Sequence, residues 1–195
     1  ENDTHHDIAR ETLELYVPLA DRLGMKVLRK RLEDACFRIL KPLLYKELEQ
    51  KVEPIQAEDR ICLALLQASV RQILDEHKIE ATVRGRTKSL YSIYRKMRRL
   101  DYTLDQIMDR VGLRVIVSSV DECYAVARLL HQRFRPVPGT FDDYIAHPKA
   151  NGYRSLHACF YPVPRLSYRP VEFQIRTVEM HHQAQYGPAA HWRYK

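Results

Sequence analysis

The spacing of apolar residues changes at His77, and that change sets what the chain can become. Upstream the period is helical. Ile8, Leu15, Leu19 and Leu23 recur at intervals of seven and four, which predicts an amphipathic helix over residues 8–23 closed by Gly24. Leu28, Leu32, Ala35, Cys36 and Ile39 share one face of a second helix over 27–40, with Pro42 as its stop. A short helical piece follows, then a longer helix over 57–77 whose stripe is Ile61, Leu65, Leu66, Val70, Ile73 and Leu74. Past His77 the period shortens to two. A strand is predicted over 79–83, a turn at Gly85-Arg86 and a helix over 88–100. Further strands follow at 113–117, 156–161 and 171–177, with helices at 121–134 and 179–186. The stretch 136–153 is dense in Pro, Gly, Asp and Asn and reads as loop, and loops of that length in compact domains are usually functional or mobile. The expectation is an α+β catalytic region over 78–195 behind an all-helical leader over 1–77.

Charge narrows the partners. Lys and Arg number 32 against 25 Asp and Glu, a net charge of +7, which favours nucleotides, nucleic acid or anionic lipid without choosing among them. No apolar run approaches the roughly 18 to 20 residues that span a bilayer, and no signal peptide is recognisable, so a cytoplasmic location and no membrane partner are expected. The chain opens on Glu1 and ends on Trp192-Arg193-Tyr194-Lys195, and reads as a piece of a longer protein. Cys36, Cys62, Cys123 and Cys159 form no C-x-x-C pair and are expected as buried, reduced thiols.

Three segments combine side chains suited to chemistry. In the helix over 88–100, Leu90, Ile93, Met97 and Leu100 fall on one side and Lys88, Ser92, Arg95, Lys96 and Arg99 on another. Such a basic side is either a solvated face or a phosphate cradle; Arg86, beside a helix start whose free N–H groups attract anions, favours the cradle. Alternation in 171–177 sends Val171, Phe173 and Ile175 to one face and Glu172, Gln174 and Arg176 to the other. A half-exposed strand would show the same pattern. Asp109, ahead of the strand 113–117, is either a loop or cap residue or a second carboxylate at the rim of the same sheet. Two carboxylates beside a basic face are what a magnesium–nucleotide site requires. The loop Lys149-Ala150-Asn151-Gly152-Tyr153, with His157 beyond it, offers groups for stacking and edge recognition of a base. His5-His6-Asp7 and His181-His182 lack a third ligand at metal spacing.

Taken together these segments resemble the RelA/SpoT family of (p)ppGpp synthetases. The likeness runs through Gly85-Arg86-Thr87-Lys88 with Tyr91-Ser92-Ile93-Tyr94-Arg95-Lys96-Met97, Asp109 with Arg114-Val115-Ile116-Val117, and Asp121-Glu122-Cys123-Tyr124-Ala125-Val126. It continues through Pro138-Gly139, Asp143-Tyr144-Ile145-Ala146, Pro148 to Tyr153, Ser155-Leu156-His157, Val171 to Thr177 and Ala189-Ala190-His191-Trp192. The leader, with Tyr16-Val17-Pro18-Leu19-Ala20, is similar to the connection that follows the family's hydrolase domain; that domain and the regulatory domains that follow Trp192 are absent here.

The resemblance implies a mixed β-sheet flanked by helices, related to nucleotidyltransferases. It implies that Arg86 flanks the adenine of ATP and that Lys88, Ser92 and Lys96 contact its phosphates. Asp109 would bind Mg²⁺, and Glu172 would position the metal and activate the 3′-hydroxyl of GDP or GTP. Tyr153 would stack on guanine, with Lys149, Asn151 and His157 completing the acceptor site. For the full-length protein the ribosome is a candidate partner. Asp142 in Thr140-Phe141-Asp142-Asp143 looks like the synthesis-only branch, although Thr140 matches neither branch. The hairpin over 162–170 lacks the family's glycines, and Gln185 stands where glutamate is usual. Other classes compete. A basic RNA-binding module would use Tyr91, Tyr94 and Tyr153 among the cations but needs neither acid. An inactive guanine-nucleotide-binding relative would bind without turnover, and a nucleotidyltransferase would not release AMP.

Overall fold

The computed structural model describes residues 2–107, 110–161 and 170–186. The leader begins with α1 (Asn2–Glu11), a wide turn at Thr12–Tyr16 and α2 (Val17–Arg22). Pro18 has no N–H for the carbonyl four residues back, and the widened turn ahead of it accommodates the gap. The chain leaves α2 through Gly24 at φ +69°, as expected of a helix end. The side that packs on α3 (Lys26–Leu40) carries the small residues Ala9 and Ala20, both buried. Ile8, Leu15, Leu19 and Leu23 are each at least half exposed, because no described residue covers their stripe. In α3 the buried residues are Glu33, Cys36 and Phe37, whereas Leu28 and Ile39 face outward.

The two helices expected between residues 41 and 77 are one, α4 (Pro42–Glu76). Pro42 occupies the first turn, where a missing N–H costs nothing, so it opens α4. Pro54 lies inside the same helix. The buried side of α4 runs through Leu48, Val52, Cys62, Leu63, Leu66, Val70, Ile73 and Leu74, while Ile61 and Leu65 are exposed.

The sheet follows. Its strands are β1 (Thr82–Thr87), β2 (Val111–Val117), β3 (Arg135–Pro136), β4 (Asp142–Asp143), β5 (Leu156–Tyr161) and β6 (Val171–Thr177). The order is β1-β2-β6-β5-β3, with β4 on the same side of β5 as β3. All pairs are antiparallel except β2 with β6, so the sheet is mixed as expected. Strand β1 starts three residues later than predicted and continues straight through Gly85-Arg86. Gly85 is there for packing: a Cβ on it would stand 2.5 Å from Cδ2 of Leu63 on α4.

Two cores result. The larger lies between one face of the sheet, including Val83, Leu113, Val115, Phe160, Phe173 and Ile175, the second half of α4 and α6 (Val120–Arg133). Helix α6 is started by a capping box, in which Ser119 accepts from the Glu122 N–H and the Glu122 carboxylate accepts from the Ser119 N–H. The smaller core joins Phe37 of α3, Leu48 and Val52 of α4 and Ile93 of α5 (Leu90–Leu100), with Tyr45, Tyr91, Tyr94 and Met97 packed around it. Helix α7 (Val178–Tyr186) closes the described chain. Cys36, Cys62 and Cys123 are buried as expected; Cys159 is only partly so, since it faces the sheet's polar side.

Candidate active site

Strand alternation gives the sheet a second, polar face. In register across β1, β2, β6 and β5 stand Arg86, Gly112, Glu172 and Cys159, and one step along stand Arg84, Arg114, Gln174 and His157. This face is roofed. Gln174 and Arg176 are 7% and 2% exposed, so β6 is covered on both sides rather than half-solvated. Among the described residues the cover includes α3 and α7. The Lys26 ammonium donates to the Ala184 carbonyl at the end of α7 at 2.6 Å, where a cation suits the helix dipole. Burial, then Arg176 and Arg114, lower that ammonium to about 8. Arg176 donates to Nδ1 of His181 at 2.9 Å, and burial followed by the same two guanidiniums holds His181 at about 4.

Arg86 explains Gly112. Its side chain lies across β2 and donates to Oε2 of Glu172 at 3.2 Å, and a Cβ at position 112 would come within 3.0 Å of its Nε. Gln174 donates to the same oxygen at 2.8 Å. The other carboxylate oxygen faces Nδ1 of His157 at 3.6 Å. Burial alone would raise the Glu172 carboxyl; His157, then Arg86 and Gln174, more than reverse that and hold it at about 2. Glu172 is therefore an anion at neutral pH.

On one side of Glu172 opens a cleft of about 410 Å³. Arg86, Thr87, Lys88, Ser92, Arg95, Lys96 and Arg99 line it from β1 and α5, Gln174 from the sheet, and Arg29 and Lys30 from α3. Seven of these side chains are cationic and none is a carboxylate. Lys88 precedes α5 rather than lying in it: Ser89 is the N-cap, accepting from the Ser92 N–H, and the Lys88 N–H donates to the Arg110 carbonyl. The helix α5 begins at the mouth of the cleft, as a phosphate cradle requires.

On the other side of Glu172 the loop after β4 meets β5. Tyr153 Oη and His157 Nε2 are 2.9 Å apart, and the Asn151 side chain accepts from the Tyr153 N–H at 3.1 Å. Lys149 Nζ lies 4.1 Å from the ring centroid of Tyr144 and 5.7 Å from that of Tyr153. The Asp143 carboxylate accepts from the Ile145 and Ala146 N–H groups and from Tyr124 Oη, fixing the loop.

The sequence-predicted residues thus form two groups that meet at Glu172: Arg86, Lys88, Ser92 and Lys96 in the cleft, and Lys149, Asn151, Tyr153 and His157 beyond it. Asp109 lies outside the described residues, as do the segment 162–169 and the motif Ala189-Ala190-His191-Trp192. Its neighbour Arg110 is buried and pairs with Asp59 of α4 at 3.4 Å. Tyr91 and Tyr94, which an RNA-binding module would present, pack instead on Phe37, with ring centroids 5.9 and 4.6 Å away. Sequence reasoning named Arg114 and Tyr144 only within matching motifs, without a role, and did not name Gly112, Arg29 or Lys30. Alternation in 111–117 places Gly112 and Arg114 on Glu172's face once the strands are paired; nothing local marks Arg29 and Lys30.

The donor set fits a hard cation. Mg²⁺ is held by one or two carboxylates together with substrate phosphates, and an ionised carboxylate beside a cationic cleft suits that arrangement. Among the described residues no cluster of three or more His, Cys, Asp or Glu forms a metal cage of its own. Among them, too, no helix is long and apolar enough to cross a membrane.

A family model described as a region found in RelA / SpoT proteins matches residues 85–195. A GTP pyrophosphokinase from Streptomyces coelicolor is 48% identical over 96% of this chain and 22% of its own length. A guanosine-3′,5′-bis(diphosphate) 3′-pyrophosphohydrolase from Aquifex aeolicus is 43% identical over 96% of this chain and 27% of its own. The chain therefore spans about a fifth to a quarter of the length of these curated relatives. Among solved structures, the small alarmone synthetase 1 from Bacillus subtilis bound to its product pppGpp superposes with a TM-score of 0.62 at 32% identity, covering 69% of this chain and 76% of that one. The same synthetase bound to AMPCPP gives 0.55 at 27% identity, over 69% and 74%.

Proposed function

The chain belongs to the family found in RelA and SpoT proteins, and from that premise we propose that it transfers the β,γ-pyrophosphate of ATP to the 3′-hydroxyl of GDP or GTP. The observation that carries the reading is a cationic cleft and a polar-aromatic cluster meeting at one part-buried, ionised carboxylate: seven cations on one side of Glu172, and an aromatic, amide and ammonium cluster on the other.

In this reading the triphosphate enters the cationic cleft, where Lys88, Ser92 and Lys96 bind its oxygens and Arg86 flanks the adenine. Guanine stacks on Tyr153, whose hydroxyl is fixed by His157, while Lys149 and Asn151 hold the acceptor's edge. Asp109 and Glu172 would hold Mg²⁺, which when bound would supply charge neutralisation at the transferring phosphates. The acceptor's 3′-oxygen forms a bond to the β-phosphorus, the bond from that phosphorus to the bridging oxygen of the α-phosphate breaks, and AMP leaves. The hydroxyl proton passes towards Glu172. A carboxyl held at about 2 is a weak base, so Glu172 serves as hydrogen-bond acceptor to the hydroxyl and would serve as metal ligand. Alignment and charge neutralisation supply most of the acceleration. Packing of Tyr91 and Tyr94, both partly buried, against the small core weighs against an RNA-binding surface.

The test is incubation of the domain with Mg²⁺, β-labelled ATP and GDP or GTP, followed by anion-exchange separation. Labelled guanosine tetra- or pentaphosphate with matching AMP, lost in Asp109→Ala and Glu172→Ala, is expected. Guanine-nucleotide binding without product would favour the inactive regulatory relative, and transfer of a nucleoside monophosphate would replace the reaction with nucleotidyl transfer.

A further inference from the structure

One wall of the cationic cleft comes from outside the segment that the family model matches. Helix α3 ends 45 residues before that segment begins, yet Lys30 lines the cleft opposite Lys88 and Lys96. Its position is fixed by one stripe of α3. One turn on from Lys30, the Asp34 carboxylate accepts from the Tyr91 N–H at 2.9 Å, capping the start of α5. Next along the stripe, Phe37 packs on Tyr91 and Tyr94, and the Lys41 ammonium donates to Tyr94 Oη at 2.7 Å. Residues three and four apart share a helix face, so docking Asp34, Phe37 and Lys41 onto α5 delivers Lys30 to the phosphate end of the cleft.

Electrostatics ask for an anion there. The Lys30 side chain is half-buried, and its ammonium is lowered by burial, then by Arg86 and Arg29. Asp34, the carboxylate on its own face of α3, is committed to the α5 N-terminus. From β1, α5 and the link between them, the charged groups that line the cleft with it are Arg86, Lys88, Arg95, Lys96 and Arg99, all cations. Asp34 offsets part of this repulsion on Lys30, but burial and the surrounding cations outweigh it, so a polyanion bound in the cleft would relieve the remainder.

We propose that Lys30 of the helical leader is a phosphate-binding residue of the ATP site, so that the leader completes the nucleotide pocket. The inference rests on the pyrophosphate-transfer reading. It adds a specific division of labour: Lys30 contributes to ATP affinity and not to recognition of the guanine nucleotide.

Steady-state kinetics on Lys30→Met, Lys30→Arg and Arg31→Met test it, with equilibrium binding of a non-hydrolysable ATP analogue to each. Arg31 is exposed and on another face of α3, so its variant removes the same charge away from the cleft. Losing one charge-assisted contact to phosphate should raise the KM for ATP about tenfold or more in Lys30→Met. The analogue should weaken in step, with kcat and the acceptor's KM within roughly threefold of wild type. Lys30→Arg should recover most of the loss, and Arg31→Met should resemble wild type. An unchanged KM for ATP in Lys30→Met overturns the proposal while leaving the enzymatic reading intact. So does a parallel loss of kcat, both KM values and melting temperature, which marks a structural role. Wild-type protein that neither binds the analogue nor forms product removes the enzymatic reading, and the Lys30 assignment falls with it.

Discussion

Gly85→Ala probes how the strand bearing Arg86 is held. The added methyl would stand 2.5, 2.6 and 2.9 Å from three carbons of the Leu63 side chain, about 1 Å short of ordinary contact. Because Cγ is among them, turning one methyl does not relieve the clash. Overpacking of this kind costs about 1–3 kcal/mol. The stiffer unfolded chain returns about 0.4–1 kcal/mol. The net expectation is a loss of about 1–2 kcal/mol, or about 2–8 °C in Tm for a chain of this size. Leu63→Ala alone leaves a cavity at the core's edge, where Leu63 is 8% exposed, and should cost about 2–3 kcal/mol. In the double variant the new methyl occupies vacated space, so the cost should fall short of the sum by about 1 kcal/mol or more. Urea and thermal unfolding of the four proteins measure this directly. Additivity within about 0.5 kcal/mol would refute the packing reasoning. ATP kinetics add a second readout: Gly85 and Arg86 face opposite sides of β1, so relief by movement of Leu63 leaves the cleft unchanged, whereas relief by movement of the strand displaces Arg86 and raises the KM for ATP.

Two further outcomes are expected. His181 sits at about 4 in the folded chain, below its ordinary value, so the unfolded chain binds more protons between about pH 6.5 and 4 and stability falls as pH drops through that window. His181→Gln should flatten the slope of unfolding free energy against pH there; an unchanged slope would mean that His181 is not held neutral beneath Arg176. Ser119→Ala breaks the capping box of α6 and should cost about 1 kcal/mol. Measured by thermal unfolding, that loss should leave nucleotide kinetics untouched, since α6 packs on the apolar face of the sheet.

Strands β5 and β6 match the predicted limits because their alternation is strict and their neighbours break it. Strand β1 does not, since Gly85-Arg86 has the composition of a turn and only Leu63, 22 residues upstream, explains why a glycine is needed in a strand. Two prolines hid the length of α4: Pro42 tolerates a helix start as well as it marks a stop, and Pro54 is carried by packing on either side. The same limit applies at the site. The basic side of α5 was legible as a local 3.6-residue pattern, and the residues around Glu172 as strand alternation. Arg29 and Lys30 were not, because their place at the cleft follows from how α3 docks, which is a tertiary fact. The stripe of Ile8, Leu15, Leu19 and Leu23 had the opposite fate: the pattern was read correctly, and the described chain supplies nothing to cover it.

Helix α4 has a mechanical consequence. About 50 Å long, it belongs to both cores: Leu48 and Val52 clamp its first half to α5, and Leu66, Val70, Ile73 and Leu74 clamp its second half to the sheet. Two walls of the cleft, α5 and the polar strands, therefore ride on opposite arms of one rod. Between the arms lies Pro54, where a rung of the helix's hydrogen-bond ladder is missing and bending is easiest. A torque applied to the early turns of α4 is thereby converted into a change in the gap between phosphate cradle and carboxylate, with the proline as fulcrum.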